Sequence, residues 1–210
     1  ASLLAIHRAQ ERSLQLHRRD GVGDVLEISF EKGGASVVAD AWLAAGALDP
    51  AAAEFAFAWG VALQLGDDLQ DVAVDARDGI RTVFAEVAGR EPLDAVTNRA
   101  FAFGARVLAG LDGVGAAAPP AIKELIRTSF FMLLTGAVGE ARQCYSPAYV
   151  RELERRSPFT FEFLHSRRRR FTRRRGILER LAGAFSGGIA TGERGADRVG
   201  LAEAALLMRA

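Results

Sequence analysis

Between Phe55 and Gly66 the chain is apolar at every position but Gln64, and it then runs without interruption into Asp67, Asp68, Asp71 and Asp75. No other stretch limits the possible folds so tightly. A helix that is apolar on all sides belongs in a core, and on a helix residues four apart lie one turn apart on the same face. Asp67, Asp71 and Asp75 therefore form a ladder of carboxylates along one stripe, with Asp68 beside it and Gln64 one turn before Asp68. Like charges placed this way cost about 0.2–0.5 kcal/mol per close pair even in water, and more in a cleft unless cations occupy it. Magnesium answers that need. It takes oxygen ligands, keeps several waters, and uses one or two protein carboxylates together with substrate phosphates. The competing reading is a solvated acidic helix end. An EF-hand is a poor match, since Leu69 falls where its loop needs a ligand.

The rest of the sequence predicts helices throughout, because alternating β-branched runs are nearly absent. Residues 1–19 carry Leu3, Leu4, Ile6, Leu14 and Leu16 at helical spacing and stop at Asp20-Gly21-Val22-Gly23. A second helix is expected over 36–45, stopped by Gly46. Asp49-Pro50 then supplies an N-cap and a proline at the first helical position for a long helix over 51–75, ending near Asp78-Gly79. Pro92 opens a helix to about Leu111, a Gly/Ala/Pro loop covers 112–120, and a further helix spans 120–143. A short one follows from Ser146-Pro147 to Arg156, broken by Ser157-Pro158. At 210 residues the chain suffices for one domain with a sizeable core. The expected fold is all-α: a helical bundle over residues 1–165 with the Asp-rich helix at its centre, then an Arg/Gly-rich basic tail over 166–210 whose order is doubtful.

Charge follows the same division. Residues 1–150 hold 13 basic and 19 acidic side chains, whereas residues 151–210 hold 14 and 7, so an acidic body precedes a basic tail. The run from Arg167 to Arg175 has seven arginines in nine residues. Such a run suits nucleic-acid phosphates, an anionic membrane surface or a diphosphate. Nucleic-acid binding is the less expected of these, since Phe171 alone supplies an interleaved aromatic. Cys144 is the single cysteine, which excludes a disulfide framework or a cysteine-rich zinc site within one chain. His7, His17 and His165 share no ligand spacing. No Glu-x-x-His pair points to a di-iron bundle, and no Gly-x-Ser-x-Gly elbow to a serine hydrolase. With no secretory signal or spanning apolar stretch, a cytoplasmic location is expected. The first residue is Ala1, and the chain is expected to be a processed or truncated piece of something longer.

The segment Gly60-Val-Ala-Leu-Gln-Leu-Gly-Asp-Asp-Leu-Gln-Asp71 resembles the second aspartate-rich motif of the trans-isoprenyl diphosphate synthases, within the class I terpenoid synthase superfamily. Upstream, Glu31-Lys32-Gly33-Gly34-Ala35-Ser36 resembles the family's lysine-plus-small-residue segment. Downstream, Asp75-Ala-Arg-Asp-Gly79-Ile-Arg81 resembles its Asp…Gly-Lys stretch, with arginine in place of lysine. The likeness covers about 28–93. It departs from the family in two respects: nothing in residues 1–31 supplies the first aspartate-rich motif, and the later Gly-Lys-x-Thr-x-Pro segment survives only as Gly89-Arg90-Glu91-Pro92.

The resemblance implies an isoprenoid-synthase helical bundle lacking its N-terminal helices, with homodimerisation. It also implies Mg2+ held by Asp67, Asp68 and Asp71, with Asp75 as an outer ligand, and a substrate diphosphate contacted by Lys32, Gln64 and Arg81. The implied reaction transfers an allylic prenyl group to isopentenyl diphosphate after ionisation of the allylic diphosphate, a step driven by Lewis-acid and electrostatic stabilisation. The cation formed needs an apolar, aromatic cavity, for which Trp42, Phe55, Phe57, Trp59, Phe101, Phe103, Phe130 and Phe131 are the candidate walls. Three other readings stay open: a terpene cyclase using the same metal site, a non-catalytic helical subunit or degenerate synthase, and an Arg-rich nucleic-acid-binding protein.

Overall fold

Asp24 and Asp49 set the frame by starting two of the three long helices. The Asp24 carboxylate accepts hydrogen bonds from the backbone N–H groups of Leu26 (2.8 Å) and Glu27 (3.2 Å), and Asp49 accepts from Ala52 at 2.7 Å. These are side-chain caps for donors that have no partner within the helix. In the computed structural model, which describes residues 2–17, 23–114 and 118–166, the helices are α1 (Ser2–Ser13), α2 (Val25–Ala45), α3 (Pro50–Asp78), α4 (Asp94–Ala109), α5 (Leu111–Val114), α6 (Pro120–Glu140) and α7 (Pro147–Arg156). Short 3-10 turns follow α1 (Leu14–His17) and α6 (Arg142–Cys144). No strand occurs among the described residues. Among them, too, no helix is long and apolar enough to cross a membrane. The protein is all-α.

The chain divides into two units, 1–162 and 163–210. The first holds α1 to α7. Of the second, only 163–166 lie within the described residues, where the Ser166 hydroxyl donates to the Phe163 carbonyl at 2.8 Å. The basic run 167–175 and the rest of the expected tail lie outside the described residues.

α3 is the axis of the first unit. It packs against α2 on one side and against α4, α5 and α6 on the other. Val61, Leu65, Leu69 and Val72 of α3, Val96 and Leu108 of α4, and Phe130, Leu134 and Val138 of α6 form the core. Phe84 and Leu93, from the turns between α3 and α4, are fully buried in it. The helix ends in Gly79, whose φ of 74° is the left-handed conformation that closes a helix and that glycine adopts without strain.

One boundary departs from the sequence reading. The second helix begins at Val25, not at Ser36, so Glu31, Lys32, Gly33 and Gly34 are helical. Paired glycines ordinarily weaken a helix. Here they let α2 and α3 touch backbone to backbone. A Cβ on Gly33 would lie 2.5 Å from the Gly60 carbonyl oxygen and 2.6 Å from Gln64 Cβ, and one on Gly60 would overlap the Gly33 carbonyl. A Cβ on Gly34 would strike the Phe57 ring. Two smaller departures follow chain-end chemistry. The first helix gives way at Ser13, whose hydroxyl bonds the Gln10 carbonyl at 2.7 Å, and α5 occupies part of the expected loop 112–120.

Gly60→Ala is expected to destabilise the protein by about 1–3 kcal/mol, since one added carbon must force the two helices apart. Gly136→Ala on α6, where a Cβ meets nothing within 4 Å, should instead stabilise it by about 0.5–1 kcal/mol through helix propensity. Urea unfolding of the two variants checks the opposite signs.

Candidate functional site

The close crossing at Gly33 and Gly60 brings Lys32 of α2 beside the carboxylate-bearing turns of α3. Lys32, Gln64, Asp67, Asp68, Asp71 and Asp75 all line one cavity of about 140 Å³. Five of these six lie on successive turns of α3, and the sixth comes from another helix 32 or more residues earlier. The roof is Ser13 together with Leu16 and His17 of the 3-10 turn. Ser29 closes the α2 side, and Ile80 and Thr82 the far end.

The carboxylates differ in exposure. Asp67 and Asp71 reach solvent, whereas Asp68 is 6% and Asp75 8% exposed. The Gln64 side-chain amide donates to one Asp68 oxygen at 2.7 Å. The other, Oδ2, is buried with no hydrogen-bond partner. Burial accordingly pushes the Asp68 carboxyl up to about 6, against the Gln64 hydrogen bond and the Lys32 charge, which favour its ionised form; Asp75 and Asp67 push it further up. Asp75 is raised as well, first by burial and then by Asp71 and Asp67, with His17 and Lys32 opposing. Each cause is ordinary: desolvation and like charges disfavour a carboxylate, opposite charges and donors favour it.

Among the described residues no three Asp, Glu, His or Cys side chains converge into a ready metal-binding group. Helix geometry explains this. Asp67, Asp71 and Asp75 climb α3 by about 5.4 Å per turn, so one ion cannot be enclosed by all of them in this arrangement. The donor set nevertheless fits magnesium, which needs only one or two protein carboxylates and retains water on its other positions. The unpartnered, buried Asp68 Oδ2 is the feature that a hard cation would satisfy.

Two sets of residues singled out in the sequence lie apart from this cavity. Arg81 is not part of the cavity lining. Its guanidinium pairs with Glu86 at 2.8 Å over a separate depression bordered by Ala76, Gly79 and Arg90. Its backbone N–H does reach the site's roof, donating to the Leu16 carbonyl at 2.8 Å. Second, none of the eight candidate aromatics lines the acidic cavity. Trp59 packs on Phe130 and Phe101 on Phe131, Phe30 stacks on Phe103, Phe55 packs against the core, and Trp42 and Phe57 are 47% and 41% exposed. Spacing is the reason. At about 1.5 Å per residue, Trp59 precedes Asp67 by roughly 12 Å along the helix, and α4 and α6 cover other faces.

Ser29, His17 and Thr82 belong to the site and were not singled out in the sequence. Ser29 lies one turn before Lys32, a relation visible only if α2 starts at Val25. His17 and Thr82 arrive from segments with no local pattern.

Because the Asp68 pKa is higher in the folded than in the unfolded protein, the folded state holds an extra proton between about pH 4 and pH 6. The Asp68 contribution to stability is therefore greatest below that window and falls as pH rises through it, by about 3 kcal/mol. With divalent ions chelated, Asp68→Asn should remove that decline and be the more stable protein at pH 7.5. Denaturation midpoints from pH 4 to 8 test this, and superimposable profiles would count against it.

No family model, no curated protein and no solved structure matches this chain.

Proposed function

We propose that this chain binds an allylic prenyl diphosphate with magnesium at the α2–α3 cavity and transfers its prenyl group to isopentenyl diphosphate, as in the trans-isoprenyl diphosphate synthases that its sequence resembles. One observation carries the reading. Lys32 and the Gln64–Asp75 turns, picked out in separate stretches of sequence, share a single cavity. A solvated acidic helix end would not bury Asp68 and Asp75.

Electrostatics sets an order on binding. Four carboxylates face one ammonium group in the cavity, so a diphosphate anion is repelled until cations neutralise the stripe. Asp67 and Asp71, which reach solvent, are the residues to hold a cation first. Asp68 follows through its unpartnered oxygen, with Gln64 fixing the carboxylate's other end. Asp75 acts as an outer ligand. Lys32 donates to the diphosphate oxygens. When bound, magnesium supplies Lewis acidity toward the leaving diphosphate. The bond between the allylic carbon and the diphosphate oxygen breaks with its electron pair on oxygen. The alkene of isopentenyl diphosphate then supplies the pair for the new carbon–carbon bond, and the cation this leaves loses a proton from the adjacent carbon to the released diphosphate, so that the carbon–hydrogen pair forms the new double bond.

A second reading rests on the cavity's size and lining. About 140 Å³ is below the roughly 300–1,000 Å³ of typical small-molecule sites, and no aromatic side chain shields a carbocation there. These features favour a chain that binds a diphosphate group and cation without turnover.

The two readings separate on incubation with magnesium and labelled allylic diphosphates, with and without isopentenyl diphosphate. Elongated products support transfer, cyclic products the cyclase, and metal-dependent binding without product the non-catalytic form. Asp67→Ala should lower turnover on the order of 10²-fold or more; unchanged turnover would remove the metal-based mechanism. Binding to RNA or DNA that collapses with salt and survives loss of Asp67 and Asp71 would point to the Arg-rich run instead.

A further inference from the structure

The carboxylate cavity is closed on one side by a short segment that packs along α2. Ser13 at the end of α1, and Leu16 and His17 of the following 3-10 turn, form its roof. This segment contributes little to the core: Ala9, Ser13 and Leu16 are buried, while Leu4 and Leu14 are exposed. Leu16 joins a small cluster with Val25 and Ile28, which meets the main core only through Val83.

Besides its packing on α2, polar contacts at both ends position it. Arg12 bridges two α2 carboxylates one turn apart, Glu27 at 2.9 Å and Glu31, on the turn just before Lys32. On the far side, the Arg81 N–H holds the Leu16 carbonyl. Exposed ion pairs and single hydrogen bonds are weak compared with core burial, and segments with few buried apolar contacts open at low free-energy cost.

From this we infer that α1 and its 3-10 turn are a removable cover over the acidic cavity, latched to α2 by Arg12 through Glu27 and Glu31. Lifting it exposes Asp68 and Asp75 and enlarges a space too small for a whole prenyl diphosphate, while α3 and its core partners stay folded. The inference concerns access, so it does not depend on what the cavity binds.

Carbodiimide labelling of the full chain, read by mass spectrometry, measures that access directly, with exposed Glu54 on the same helix as internal reference. In Arg12→Glu, which repels both α2 carboxylates, Asp68 should label about tenfold faster relative to Glu54. Hydrogen exchange should rise across residues 2–17 and stay unchanged in α4 and α6. Combining R12E with E27R and E31R restores the bridge with reversed charges and should return labelling to the wild-type rate. The cover is overturned if exchange in 2–17 rises without faster Asp68 labelling, or if R12E alters neither. It is also overturned if Asp68 labelling rises only together with exchange in α4 and α6, which is global unfolding. A chain with no magnesium-dependent turnover would leave the labelling ratios untouched, so this inference and the proposed function fail separately.

Discussion

Everything at this site depends on two helices touching without side chains between them. Helices usually pack with their axes about 8–10 Å apart, held off by the residues at the contact. Gly33 and Gly60 remove those spacers, so the Gly33 backbone comes to rest on Gly60 and Gln64. Lys32 and Gln64 are neighbours in space for that reason. Both glycines would be read as weak points if each helix were considered alone. Their cost in helix propensity is offset by the approach they permit, and that approach assembles the cavity.

The crossing also explains why the carboxylates carry strain. Asp68 points into the narrow space it creates, where water is scarce and one oxygen goes without a donor. A penalty near 3 kcal/mol is a large share of a domain's typical stability of about 5–15 kcal/mol. An arrangement useful only for stability would place an apolar residue at this position, since Leu65, Leu69 and Val72 around it are buried and packed.

Much of this was legible in the sequence, because caps and helical spacing are local. Asp49-Pro50, Gly79 and the Asp67–Asp75 ladder announce α3 at both ends, and the same helix carries five of the six predicted residues that meet in the cavity. What was not legible depended on tertiary contact. The start of α2 was hidden, since Gly33-Gly34 reads as a break until α3 is known to lie against it. The aromatics could not be placed from sequence alone, because composition shows that they are apolar but not which turn of which helix they occupy. Arg81 pairs with Glu86, five residues later, a contact that motif spacing does not reveal.

These relations also bear on what chemistry the cavity can do. Its walls come from the polar stripe of α3, the Lys32 turn of α2 and the roof after α1, so apart from Leu16 and Ile80 the side chains it presents are suited to ions and phosphate oxygens. Hydrocarbon would need a second space, adjoining the first and lined by apolar side chains. α3 cannot supply it from its own aromatics, because Phe55, Phe57 and Trp59 lie on earlier turns and are spent on the core or on the crossing with α2.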